Sequence, residues 1–251
     1  LIRGVIEQWD SCKPKMEAAA AAGKGVPVSS VRIRPPIPKP GNIDCMAVNY
    51  MEDGTRSEPA PINAFHKSPS GVIGDGDTMV LQDIPATIFE GEAELALVIG
   101  KPAHKVAAAD AWDYVAGYAA FNDGSARDWQ RNGGGGQWCQ GKGFDTFGPL
   151  GPWLVTKDEI KDVQDLGMTL DLNGKRVQNG STKTMVFGVA HLVAYISHFM
   201  QLDPGDVITT GTPPGVGMGM KPPVYLKAGD TMKVGIAGLG EQHQKVEAYK
   251  G

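Results

Sequence analysis

The chain has 251 residues, 41% of them hydrophobic and 21% charged, the balance of a globular protein with room for one large β-rich domain. A formal net charge of −4, with Lys and Arg scattered rather than run together, speaks against nucleic acid or an anionic membrane surface as a partner. Three cysteines (Cys12, Cys45 and Cys139) without CxxC spacing exclude a disulfide framework and predict reduced thiols in a cytoplasmic protein, and no apolar stretch reaches the roughly 18 residues of a membrane span. The first residue is Leu1 rather than Met, which leaves room for a preceding leader.

In chain order, residues 2 to 22 read as helical, with Ile2, Val5, Ile6 and Trp9 on one stripe and Pro14 expected to break the helix in two. Gly23 and Gly25 end it. The run Arg34-Pro35-Pro36-Ile37-Pro38-Lys39-Pro40 is a stiff connector, so residues 1–40 are expected to form an accessory segment and residues 41–251 the main domain. Strands are expected at 43–49, 94–99 and 115–121, the last after a helical turn capped by Asp110. Thr156-Lys157-Asp158-Glu159 has capping-box spacing and predicts a short helix. Met168 to Leu172, Asn173-Gly174 and Lys175 to Gln178 predict a tight hairpin. Val189, Leu192, Val193, Ile196, Phe199 and Met200 mark the clearest amphipathic helix, and strands at 207–210, 231–236 and 244–249 complete a mixed, β-rich α/β pattern.

The stretch Glu90-Gly91-Glu92-Ala93-Glu94-Leu95 carries the strongest chemical signal. Side chains two apart on a strand point the same way, ~6.6 Å apart, so Glu92 and Glu94 would face one spot and need a cation to offset their repulsion. On its own the pair fits a solvated strand end better than a site, because carboxylate pairs are common on surfaces. A third carboxylate, Asp123, closes the apolar run from Val115 to Phe121 and opens the polar cluster Gly124-Ser125-Ala126-Arg127-Asp128-Trp129-Gln130. Three oxygen donors suit Mg²⁺ or Mn²⁺, and no His or Cys cluster accompanies them to favour zinc. The glycines of Asn132-Gly133-Gly134-Gly135-Gly136 lack the form of a phosphate loop and read as an ordinary loop.

Four segments, GEAELALVIGK, VAGYAAFNDGSARDWQ, GKGFDTFGPLGPWLVT and PGDVITTGTPPGVG, resemble the successive motifs of the fumarylacetoacetate-hydrolase family, in that family's order, from about residue 43 to the C-terminus. The similarity is to its acylpyruvate-hydrolase and 2-hydroxyhepta-2,4-diene-1,7-dioate-isomerase-like members. It implies a β-roll or sandwich-like catalytic fold, a homodimer, and a Mg²⁺ or Mn²⁺ site on Glu92, Glu94 and Asp123. It also implies a substrate-facing Lys142, with Arg127, Gln130, Thr212 and Tyr50 lining the pocket. The implied substrate is a small 2-oxo acid or 1,3-diketone. The metal would act as a Lewis acid, and Lys142 would add positive charge where negative charge develops.

One departure stands out. In hydrolytic members the segment after the Asn-Tyr pair carries a histidine and a nearby glutamate that activate water, a contribution of ~10²–10⁴ in rate. Here that segment, Asn49 to Pro59, holds no histidine. Hydrolysis of a C–C bond would then call on Glu52, Asp53 or Glu58. The alternatives are decarboxylation or keto–enol isomerisation of a 2-oxo diacid, which need no activated water, and a non-catalytic ligand-binding relative.

Overall fold

The computed structural model describes residues 2–51 and 58–251. Two helices, α1 (Ile2–Glu7) and α2 (Trp9–Ala21), open the chain. Pro14 does not separate them; it lies inside α2, and the chain turns at Gln8, whose carbonyl accepts from both Ser11 and Cys12 at 3.0 Å. A proline in an exposed helix forfeits one hydrogen bond, which this solvent-facing segment tolerates. Gly23, at φ 63°, closes α2 as expected of a left-handed C-terminal glycine.

Fifteen strands follow among the described residues. They are β1 (Ile43–Ala47), β2 (Asn63–His66), β3 (Val72–Ile73), β4 (Thr78–Leu81), β5 (Phe89–Glu90), β6 (Ala93–Ile99), β7 (Val115–Asn122) and β8 (Ser125–Ala126). After the short helices α3 (Arg127–Asn132) and α4 (Cys139–Lys142) come β9 (Gly148–Pro149), β10 (Val155–Thr156), β11 (Gly167–Leu172) and β12 (Lys175–Ser181). Helix α5 (Val189–Phe199) precedes β13 (Val207–Thr209), β14 (Thr231–Ile236) and β15 (Gly240–Ala248). The Asn173-Gly174 turn joins β11 to β12 with φ of 51° and 78°, the paired positive angles that a tight hairpin turn requires. Two local expectations are corrected. The turn before β7 is a 3₁₀ helix over Ala108–Tyr114 entered from Ala107, with Asp110 inside it rather than capping it. Thr156 precedes a 3₁₀ turn, Lys157–Glu159, but its hydroxyl donates to the Glu159 carboxylate at 3.2 Å instead of capping a backbone N–H.

The strands form a six-stranded sheet in the order β10-β7-β6-β13-β1-β2 and a five-stranded sheet in the order β12-β11-β14-β15-β4. This is the mixed, strand-rich α/β architecture expected. β6 runs through the middle and is buried along all seven residues. One of its faces, Leu95, Leu97 and Ile99, packs on Met168 and Leu170 of β11, Val234 and Ile236 of β14, and Leu192, Val193 and Ile196 of α5. Its other face, Ala96 and Val98, packs with Ile43, Cys45, Ala119, Phe121 and Leu150. The N-terminal segment joins this second cluster through Ile6 and Ile37, although α2 itself buries no residue. No described helix is long and apolar enough to cross a membrane.

The packing of β6 makes a direct prediction. Leu97 is fully buried, so Leu97→Ala should lower unfolding free energy by about 2–5 kcal/mol, whereas Phe199→Ala on the exposed rim of α5 should change it by about 0.5 kcal/mol or less. Urea denaturation of both variants checks this; equal effects would contradict the assigned core.

Candidate metal centre

Register places the acidic residues. In the β6–β7 pair, Ala93 faces Asn122 and Glu94 faces Phe121, so the residues just beyond, Glu92 and Asp123, come opposite each other, joined by an Asp123 N–H to Glu92 carbonyl bond of 2.9 Å. Alternation then puts Glu92, Glu94 and Asp123 on the face that carries Ala96, Phe121 and Cys45. One carboxylate oxygen from each lies within 4.8 Å of the other two, and all three side chains are buried.

The strand between the two glutamates is held from the neighbouring sheet. Gln178, buried on β12, accepts from the Ala93 N–H at 2.9 Å, and the Thr212 hydroxyl donates to the Ala93 carbonyl at 2.9 Å. The Gln178 amide then donates to the Thr212 hydroxyl at 2.8 Å and to the Pro213 carbonyl at 2.7 Å, closing the loop. Gly211, at φ 85°, turns its N–H onto Glu94 Oε2 at 2.8 Å. A side chain at that position would be strained and would press on Asn49.

Among the described residues, three cations surround the carboxylates. Lys142 Nζ lies 2.6 Å from Glu92 Oε2 and 2.7 Å from Asp123 Oδ2. It reaches them because Gly141 lets α4 sit directly on α3; a Cβ at Gly141 would fall 2.5 Å from the Gln130 Cα. Arg127 donates to Glu90 at 2.8 Å, to the Gln130 amide oxygen at 2.9 Å and to Glu92. Lys67, just past β2, contacts Asp123 Oδ1 at 2.5 Å and is buried.

These neighbours split the two glutamates. Burial alone would raise the Glu92 pKa, but Arg127 and Lys142 outweigh it and hold it down to about 2. Glu94 has no such ion pair among the described residues: burial first, then Asp123 and Glu92, push it up to about 8. Burial also opposes the Lys142 ammonium, yet Asp123 and Glu92 dominate and raise its pKa. A buried, all-oxygen donor set with one carboxylate still short of positive charge fits a hard divalent cation such as Mg²⁺ or Mn²⁺.

The predicted residues Glu92, Glu94, Asp123, Lys142, Arg127 and Gln130 thus converge. Thr212 meets the centre through the Ala93 backbone. Tyr50 stands apart from it in hydrogen bonding, buried with its hydroxyl on Met168 Sδ at 3.3 Å. Glu52 and Asp53 lie outside the described residues, and Glu58 is exposed. Sequence reading passed over Lys67, Gln178 and Glu90. Lys67 follows Phe65-His66 with no local mark of its role, and only the β1–β2 pairing turns it inward.

The raised Glu94 pKa carries a sign. A carboxyl that holds its proton more tightly in the folded than in the unfolded chain contributes stability at low pH and loses it as pH rises through the folded value. Asp44, raised to about 6 by burial, completes its loss below the upper part of this range. With a chelator present, stability should therefore fall from pH 6 to pH 8, by at most ~1.4 kcal/mol per pH unit for one proton, and Glu94→Gln should flatten the slope. Urea midpoints at pH 6, 7 and 8 test this; an unchanged slope in the variant would remove Glu94 as the cause.

Comparison with known proteins bears on the fold and the family. Residues 42–247 match the fumarylacetoacetate (FAA) hydrolase C-terminal family model. A protein named as a hydrolase from Burkholderia multivorans is 57% identical over 189 residues, 74% of this chain, and the match spans 66% of that relative's length. A crystal structure of 2-hydroxyhepta-2,4-diene-1,7-dioate isomerase from Mycobacterium marinum superposes with a TM-score of 0.80 at 37% identity, covering 91% of this chain and 82% of that one. Maleylpyruvate hydrolase from Sphingobium sp. SYK-6, in complex with manganese(II) and pyruvate, superposes with a TM-score of 0.85 at 32% identity, covering 99% and 86%. With its family match over most of its length and its acidic residues in the sheet register described above, the chain belongs to the fumarylacetoacetate hydrolase family.

Proposed function

We propose that this protein is a divalent-metal-dependent hydrolase that cleaves a C–C bond in a small 1,3-diketo or 2-oxo acid. The observation that carries this reading is the buried cluster of Glu92, Glu94 and Asp123, short of one cation and flanked by Lys142 and Arg127. Mg²⁺ or Mn²⁺ held by the three carboxylates would supply Lewis acidity toward a carbonyl oxygen of the substrate. Lys142 would place its ammonium where negative charge gathers as the bond beside that carbonyl breaks. Arg127, oriented by Glu90 and by the amide of Gln130, would bind a substrate carboxylate. Thr212 and Gln178 would keep the two glutamates aimed at one point by fixing Ala93 between them. Activation of water would fall to Glu52, Asp53 or Glu58. By the same reading the protein works as a homodimer and has no nucleic-acid or membrane partner.

A second reading, decarboxylation or keto–enol isomerisation of a 2-oxo diacid, is favoured by one feature. Residues 49–59 contain no histidine, and the imidazole of nearby His66 is engaged by Asp44 at 3.1 Å on the opposite face of the sheet from Lys67. The likeness to an isomerase as well as to a hydrolase supports keeping both.

A metal-restored activity screen decides between them. Chelator-treated protein with Mg²⁺ or Mn²⁺ added back should cleave an acylpyruvate or a fumarylacetoacetate-like diketone. Glu94→Ala should abolish this, and Lys142→Met should lower kcat by roughly 10²–10³. Turnover of oxaloacetate or an unsaturated 2-oxo diacid without diketone cleavage would select the second reading. Metal binding without any turnover would leave a ligand-binding protein.

A further inference from the structure

Lys67 and Lys142 both touch Asp123, but they are held very differently. An ammonium has three donors. All three on Lys67 are committed: to Asp123 Oδ1 at 2.5 Å, to the Gly124 carbonyl at 3.0 Å and to the carbonyl of Lys142 itself. Two of those partners are backbone, fixed by the turn after β7 and by the end of α4. Lys142 makes two hydrogen bonds among the described residues, both to carboxylates, and its Nζ lies 5.3 Å from the centre of the Phe65 ring, so side chains alone hold its ammonium. Lys67 is therefore braced on the backbone, whereas Lys142, equally buried, is held through side chains.

Charge makes the difference consequential. Among the described residues, Glu90, Glu92, Glu94 and Asp123 bring four negative charges to the centre when all are ionised, and Lys67, Lys142 and Arg127 bring three positive ones. A divalent cation would turn this deficit of one into a surplus of one. Without Lys67 the same loaded centre would be neutral.

We propose that Lys67 is a positioning residue that pins Asp123 by one oxygen, anchors the backbone of Lys142, and gives the metal-loaded centre the surplus positive charge by which it takes an anionic 2-oxo acid. This rests on the metal-centre reading above. It has an unusual consequence, because a fixed cation beside a metal ligand weakens metal binding while strengthening anion binding. The residue exchanges affinity for the first against affinity for the second.

The test is a titration of the full chain with Mn²⁺, followed by electron paramagnetic resonance, and then of the Mn²⁺-loaded protein with pyruvate, for wild type, Lys67→Met and Lys67→Gln. Both variants should bind Mn²⁺ about threefold tighter or more and pyruvate roughly tenfold weaker or more. Thermal unfolding of each variant runs alongside. Weaker binding of both probes together, unchanged affinities, or loss of the fold in both variants would overturn the proposal and make Lys67 a packing residue. Absence of Mn²⁺ binding by wild type, or undiminished binding by Glu94→Ala, would instead sink the metal-centre reading on which the proposal stands.

Discussion

Mutual repulsion among three buried carboxylates is the constraint around which this molecule is organised. Oxygens of Glu92, Glu94 and Asp123 lie within 4.8 Å of one another in a part of the chain from which water is largely removed. At such separations each like-charge pair is worth several kcal/mol at protein-surface dielectric, comparable to a large share of a domain's net stability. The fold offsets this with Lys142 and Arg127 on Glu92 and with two lysines on Asp123. Among the described residues Glu94 accepts one hydrogen bond, from a backbone N–H, which leaves a proton or a metal ion to complete the balance. The centre is poised because its compensation is one charge short.

Such poise requires that the strands not slip. A shift of one residue in the β6–β7 pair would turn Glu92 and Glu94 into the apolar cluster on Met168 and Leu192 and bring Ala93 and Leu95 to the centre. The apolar pattern of β6 forbids that slip, since Leu95, Leu97 and Ile99 must stay between the sheets. Gln178 and Thr212 add a polar lock by pairing both backbone groups of Ala93. Burial of the strand and aim of its ligands are thus consequences of one register.

Much of this was legible in the chain before any coordinates. The hairpin through Asn173-Gly174, the helix from Val189 and the strands bearing Glu94 and Asp123 follow from period and turn chemistry, which are local. Alternation made the common face of Glu92 and Glu94 legible. Asp123 joins them through the β6–β7 register, and the sequence pointed to it only as a carboxylate closing an apolar run and through the family resemblance. Lys67 and Gln178 were not legible, since a lysine after a four-residue strand and a glutamine in a hairpin arm read as solvent-facing. What buries them is pairing with strands far away in sequence. Pro14 misled for the opposite reason: local chemistry predicts a break, but an exposed helix with no partner to fit tolerates the lost hydrogen bond.

Two kinds of work are separated in this architecture. On the proposed reading, stabilisation of negative charge falls to strand register and buried cations, elements that also hold the core together and therefore resist change. In the proposed reaction, proton handling, which decides whether a stabilised carbanion-like species is protonated, isomerised or cleaved by water, is a separate task for other groups. His66, next to Lys67 in the chain, is turned to the opposite face of the sheet by strand alternation and is paired with Asp44. Solved structures similar to this chain carry the names of an isomerase and of a hydrolase, so likeness of fold does not choose between the two reactions.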